Sequence, residues 1–145
     1  MSDPIIEAVQ DRLAVAFASW TDVTGDPYNK PPTALPSYAV TLVEGEAERT
    51  SMGEDRFFQP GDLTVTLWAK KETWDATLPP APANPERAMR RLAKAVRAAL
   101  LADPSDLGGA VWEIIPGALD VSHDHGQERV SRAEQTFTIT SLTGS

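Results

Sequence analysis

The stretch from Asn84 to Ala102 constrains the fold more than any other part of this 145-residue chain. Asn84 can cap a helix with its side chain, Pro85 suits a first helical position where an N–H would go unpaired anyway, and Glu86 favours the positive end of the helix dipole. At 100° per residue, Met89, Leu92, Ala93, Val96, Ala99 and Leu100 fall on one side of the wheel, and Arg87, Arg90, Arg91, Lys94 and Arg97 on the other. The pattern predicts an amphipathic helix with a basic back. Asp103-Pro104 ends it, because a residue before proline is pushed out of helical geometry.

That basic stripe matters because the rest of the chain is acidic. The formal net charge is -8, five of the thirteen Lys and Arg residues lie in this one helix, and residues 1 to 85 carry thirteen acids against six bases. General attraction to phosphate backbones or anionic membranes is therefore not expected. The length is that of one domain, residues 1–145, able to bury about two thirds of its unfolded surface. With no cysteine, disulfides, thiolate metal sites and a cysteine nucleophile are excluded. The first twenty residues lack the basic start and apolar run of a signal peptide, and no run of about eighteen apolar residues could cross a bilayer. A protein made in the cytoplasm and free of membranes is expected.

Taken in order, Asp3-Pro4 repeats the cap-then-proline start. Ile5, Ile6, Val9, Leu13, Ala16, Phe17 and Trp20 cluster on one side of a helix running to about Ser19. Thr21 to Pro36, with four prolines, reads as loop. Ser37 to Glu44 predicts a strand with Tyr38, Val40 and Leu42 on one face, and Asp62 to Lys70 a second with Leu63, Val65, Leu67 and Ala69 inward. Between them Gly45 to Gly61 reads as a long acidic loop carrying Glu46, Glu48, Glu54 and Asp55, with Phe57 and Phe58 either facing a partner or extending the next strand into the core. Residues 72–85 form a proline-rich crossing segment. A third strand is expected over Ala110 to Ile115, ended by Pro116-Gly117 or prolonged to His123 past a bulge. A turn follows at Asp124 to Glu128, and then a last strand with Ala133, Gln135, Phe137 and Ile139 on one side. The predicted class is α+β: a small, mainly antiparallel four-stranded sheet packed by two amphipathic helices, order α-β-β-α-β-β.

Little in the sequence points to catalysis. His123 and His125 would share one strand face, as a metal site could use, but further ligands such as Asp120 or Glu128 have to be assumed, and exposed polar residues are the commoner outcome. Asp62 precedes Leu67-Trp68-Ala69-Lys70 without the acid two residues before the lysine that strand-pair nucleases present. No phosphate loop, nucleophile elbow or helical His-Glu-x-x-His occurs. No cofactor, metal or enzymatic activity is expected. The basic helix face could neutralise phosphates, could be a solvated face, or could pair with acidic surface on a neighbouring copy. Leu101 falls amid the basic residues, where an exposed leucine fits a contact.

The order of these elements resembles the tail terminator, or tail completion, proteins of long-tailed bacteriophages, the lambda-type family and its relatives. The resemblance rests on an amphipathic amino-terminal helix ending in Phe17-Ala18-Ser19-Trp20, a hydrophobic strand at Tyr38 to Val43 and the acidic Gly45 to Gly61 loop. It continues with the strand LTVTLWAK, the helix AMRRLAKAVRAAL and the closing strand EQTFTIT. It spans nearly the whole chain as a pattern, and related neck proteins (head completion, stopper) share its size and composition. The family implies a ring, typically a hexamer, at the head-proximal end of the virion tail. Such a ring caps the tube of tail tube protein, halts its polymerisation, meets a connector or stopper, and lets DNA pass without specific binding. The basic face, Leu101 and the 45–61 loop are then the expected subunit or tube contacts. A nucleic-acid-binding module is the remaining alternative.

Overall fold

A computed structural model describes residues 4–24, 36–44, 48–49, 56–70, 85–102, 113–123 and 130–144. In chain order the elements are α1 (Pro4–Ala16), β1 (Thr21–Asp22), β2 (Ser37–Glu44), β3 (Glu48–Arg49), β4 (Arg56–Ala69), α2 (Pro85–Leu100), β5 (Glu113–His123) and β6 (Ser131–Gly144). Both helices begin on proline, and the apolar stripes that define them are the sides they bury. The caps expected at Asp3 and Asn84, the proline-rich segment before Pro85 and the turn at Asp124 to Glu128 lie outside the described residues.

The expected four-stranded sheet and the order α-β-β-α-β-β are corrected. The sheet is six-stranded and mixed, with neighbours in the order β1-β2-β4-β6-β5 and β3 pairing β4 off that path. The parallel member is β1, which sets Thr21 beside Ser37 and Asp22 beside Tyr38. Two residues carry no readable alternation, so backbone and side-chain bonds account for this strand. Thr21 N donates to Pro36 O at 3.0 Å and Val23 N to Tyr38 O at 2.8 Å. The Thr24 hydroxyl donates to Asp22 Oδ1 and accepts from Val40 N.

The second difference is that β4 starts at Arg56, inside the segment read as loop. Gln59-Pro60-Gly61 looks like a turn in sequence, yet Pro60 lies opposite Thr140 of β6. On the other side β2 stops at Gly61 and β3 begins at Phe58, so the proline occupies a gap in the ladder. A strand tolerates a residue without an N–H where it is locally an edge. The third strand likewise runs through Pro116-Gly117, with its register shifted between Pro116 and Leu119. An outer strand accommodates both the bulge and the proline.

Both helices cover one face of this sheet. Val9 and Leu13 of α1, Phe17 just past its end, and Met89, Leu92, Val96 and Leu100 of α2 form one core with Tyr38, Val40, Leu63, Val65, Leu67, Phe137 and Ile139. Phe17 and Trp20 meet edge to face, centroids 5.1 Å apart, an arrangement aromatic pairs favour. Ala16, expected on the buried side, is exposed, because α1 ends there. Among the described residues no helix lies on the other sheet face. Trp68 points that way as its alternation requires, yet it is only 7% exposed and packs with Ala39 and Val130 in a small second cluster. Among the described residues no helix is long and apolar enough to cross a membrane.

Candidate subunit interface

The core-facing stripe of α2 fixes where its basic side points. With Ala88, Met89, Leu92, Ala93 and Val96 buried, Arg87, Arg90, Arg91, Lys94 and Arg97 all stand exposed on the surface turned away from the sheet. Glu86 Oε1 accepts from Arg90 Nε at 3.0 Å one turn on, the favourable acid-before-base order along a helix. A shallow, open depression of about 390 Å³ lies along this side, lined by Glu86, Arg87, Arg90, Arg91 and Lys94. An open basic hollow of this shape suits the side chains of a macromolecular partner better than an enclosed small molecule.

Two polar contacts hold the helix in place beneath that face. At its first turn, His123 at the end of β5 bridges Glu86 Oε2, 2.9 Å from Nε2, and the Ser131 hydroxyl, 2.8 Å from Nδ1. An ionised carboxylate only accepts, so Nε2 carries a proton; Nδ1 accepts from the Ser131 hydroxyl in the neutral ring and donates to it in the imidazolium. The His123 hydrogen bond, then those from Arg90 and the positive charge of Arg90, hold the Glu86 carboxyl below its usual range, with partial burial opposing. Ser131 is 3% exposed, enclosed between its neighbours, so its hydroxyl serves here as a hydrogen-bond partner. At the other end, Arg12 of α1 donates through Nη1 to Ala99 O at 3.2 Å and Ala102 O at 2.6 Å. Ala99 O belongs to the last turn of α2, whose carbonyls a helix leaves unpaired, and Ala102 O lies just past its end.

The remaining expected contacts separate. Leu101 is half buried and packs on the main core instead of standing among the arginines, because the chain turns just after Leu100. Glu48 lies in β3 opposite Phe58, and Phe57 lies opposite Arg49, so the phenylalanine pair extends β4. Glu46, Glu54 and Asp55, as well as His125 and Glu128, lie outside the described residues. His123 of the proposed metal pair is engaged by Glu86 and Ser131, and Asp120 faces the opposite side of the sheet.

Sequence reasoning passed over the sheet face opposite the helices. Alternation and register place Thr41, Val43, Asp62, Thr64, Thr136, Thr138, Glu113, Ile115, Asp120 and Glu134 on it. Val43 and Ile115 are 63% and 49% exposed. The signal was present, since the polar positions of each strand are those opposite the core. It becomes a surface only when register aligns four strands. No protein-family model matches this chain, and no curated protein matches it either.

Proposed function

We propose that the chain is a structural virion protein of the tail-terminator kind. In this reading it forms a ring, six-membered by the family resemblance, on the head-proximal end of a phage tail tube, stops the tube from growing and receives the head through a connector or stopper. The observation that carries the reading is the placement of five exposed cations on the outer side of α2 within a chain of net charge -8. A ring needs one surface of each subunit to match a different surface of the next, and segregated charge supplies such a match and its register. The acidic remainder of the molecule also suits a channel through which DNA slides without sticking. In this reading the protein is made in the host cytoplasm and does no chemistry on the DNA that passes it.

The test is electron microscopy of the particle fraction from the source, together with mass measurement of the purified chain. A six-fold ring of this protein at the head-proximal end of the tail is the expected result. A ring elsewhere in the neck would replace the reading with a stopper or head-completion protein. Binding of duplex DNA by the isolated chain that falls steeply with salt, and no ring, would replace it with a nucleic-acid module.

A further inference from the structure

We propose that the exposed part of the sheet face opposite the helices, around Asp62, Ile115, Asp120 and Thr138, is the surface that receives the basic side of α2 from a second copy of this chain, an inference that rests on the ring reading above. The face has an electrostatic fault of its own. Asp120 and Glu134 are direct partners in the β5–β6 ladder, and both project away from the helices; like charges at opposed strand positions destabilise a sheet. Arg132, two residues from Glu134, lies 3.5 Å from its carboxylate and offsets part of this repulsion. A row of cations laid over the sheet would relieve it.

The dimensions agree. Asp120 and Glu134 mark one end of the surface, and Asp62, opposite Thr138, and Glu113, opposite Thr140, mark the other. Four residues of strand separate Glu134 from Thr138, about 14 Å. Ten residues of helix separate Arg87 from Arg97, about 15 Å. A helix lying along β6 therefore sets cations over both acidic ends at once, with Thr136 and Thr138 beneath its middle. Val43 and Ile115 occupy the same cross-strand row as Asp62 and Thr138, so exposed apolar side chains flank the contact and gain by being covered.

The two surfaces lie on opposite sides of the sheet, the described helices on one and the exposed strand positions on the other. Contact between them is heterologous, and such contacts close into rings when the rotation permits. Glu7 and Asp11 on the exposed side of α1 provide the competing acidic surface. They share the helix layer with the cations, so pairing through them would give a two-fold dimer instead.

The experiment uses charge reversal on each surface, read by sedimentation equilibrium of the full chain, with circular dichroism to verify folding. Arg90→Glu with Lys94→Glu, and separately Glu113→Lys with Asp120→Lys, should each weaken association at least tenfold, while an equimolar mixture of the two variants should recover it. The sheet-face variant is less negative overall than the parent, so its weakening cannot come from general repulsion. Recovery in the mixture requires each reversed helix to find a reversed sheet. The proposal is overturned if the sheet-face variant assembles like the parent, if the mixture stays dissociated, or if the parent itself shows no association at millimolar concentration. A six-fold ring on tails that tolerates the sheet-face reversal would leave the ring reading standing and remove this contact. Mixture recovery with only open chains or dimers would do the reverse.

Discussion

Gln135 shows at the scale of a residue how the fold accommodates its irregularity. It is 1% exposed, on the core side of β6 where alternation calls for an apolar residue. Its Nε2 lies 2.9 Å from Thr136 O, 3.2 Å from Gly117 O and 3.4 Å from Ala118 O. Gly117 and Ala118 are the residues that the bulge takes out of the β5–β6 register, so the amide supplies donors where the ladder does not. A Cβ on Gly117 would sit 3.2 Å from Thr136 O, so the strands also approach too closely there for an ordinary residue to fit without movement. Replacing Gln135 by Glu sets an acceptor against those carbonyls and buries a charge, at a cost of roughly 3 kcal/mol near neutral pH. The buried carboxyl titrates higher in the folded than in the unfolded chain, so the deficit should shrink as pH falls toward about 4 and a protonated O–H replaces one donor. Gln135→Met should lose less, within about 1.5 kcal/mol, and show no such pH dependence, since it also removes Gln135 Oε1, which has no hydrogen-bond partner among the described residues. Denaturant unfolding of both variants at two pH values checks the pattern; equal losses that ignore pH would show that Gln135 only fills space.

Among the elements, those with a sustained period were legible. Ser37–Glu44 and Pro85–Leu100 begin and end within a residue or two of the positions that alternation and helical spacing indicate. What was not legible depends on position in the sheet. Proline punctuates a sequence as a breaker, but Pro60 falls in a gap of one ladder and Pro116 beside a bulge, and neither circumstance can be known before the strands are paired. The same holds for α2's anchors, Arg12 and His123, since each lies far from its partner in sequence. Glu86 titrates below its ordinary value of 4.5, chiefly through His123. A depressed carboxyl adds stability that is present above the unfolded value and lost as pH falls through the folded one. Glu86→Gln should therefore flatten the acid limb of the stability curve below about pH 4.5, as thermal melts across that range would read; an unchanged limb would mean that the contact adds nothing. Arg12→Leu keeps part of the apolar stem but removes the donor to Ala99 and Ala102. It should lower stability by about 1 kcal/mol, the scale of a lost helix cap, measurable by urea unfolding.

At the scale of the whole molecule two electrostatic effects oppose each other, and their different ranges make the outcome predictable. Each copy carries a net charge of -8, so copies repel before they touch, while the basic side of α2 and an acidic surface attract once in contact. Repulsion between whole bodies acts across tens of ångströms and is the first to be screened, because the Debye length falls from about 30 Å at 0.01 M salt to about 10 Å at 0.1 M. Charge pairs in close contact persist to higher salt and weaken as the length approaches about 3 Å at 1 M. Self-association should accordingly pass through a maximum near 0.1 M, several-fold above its value at either extreme. Binding to DNA through the same cations obeys counterion release and can only fall as salt rises. A salt series of sedimentation runs, with and without duplex DNA, separates the two behaviours. A peaked curve for the protein alone supports a surface shaped for its own copies. A monotonic loss seen only with DNA present would mean that the basic side of α2 serves phosphates, and the ring reading would lose the observation that carries it.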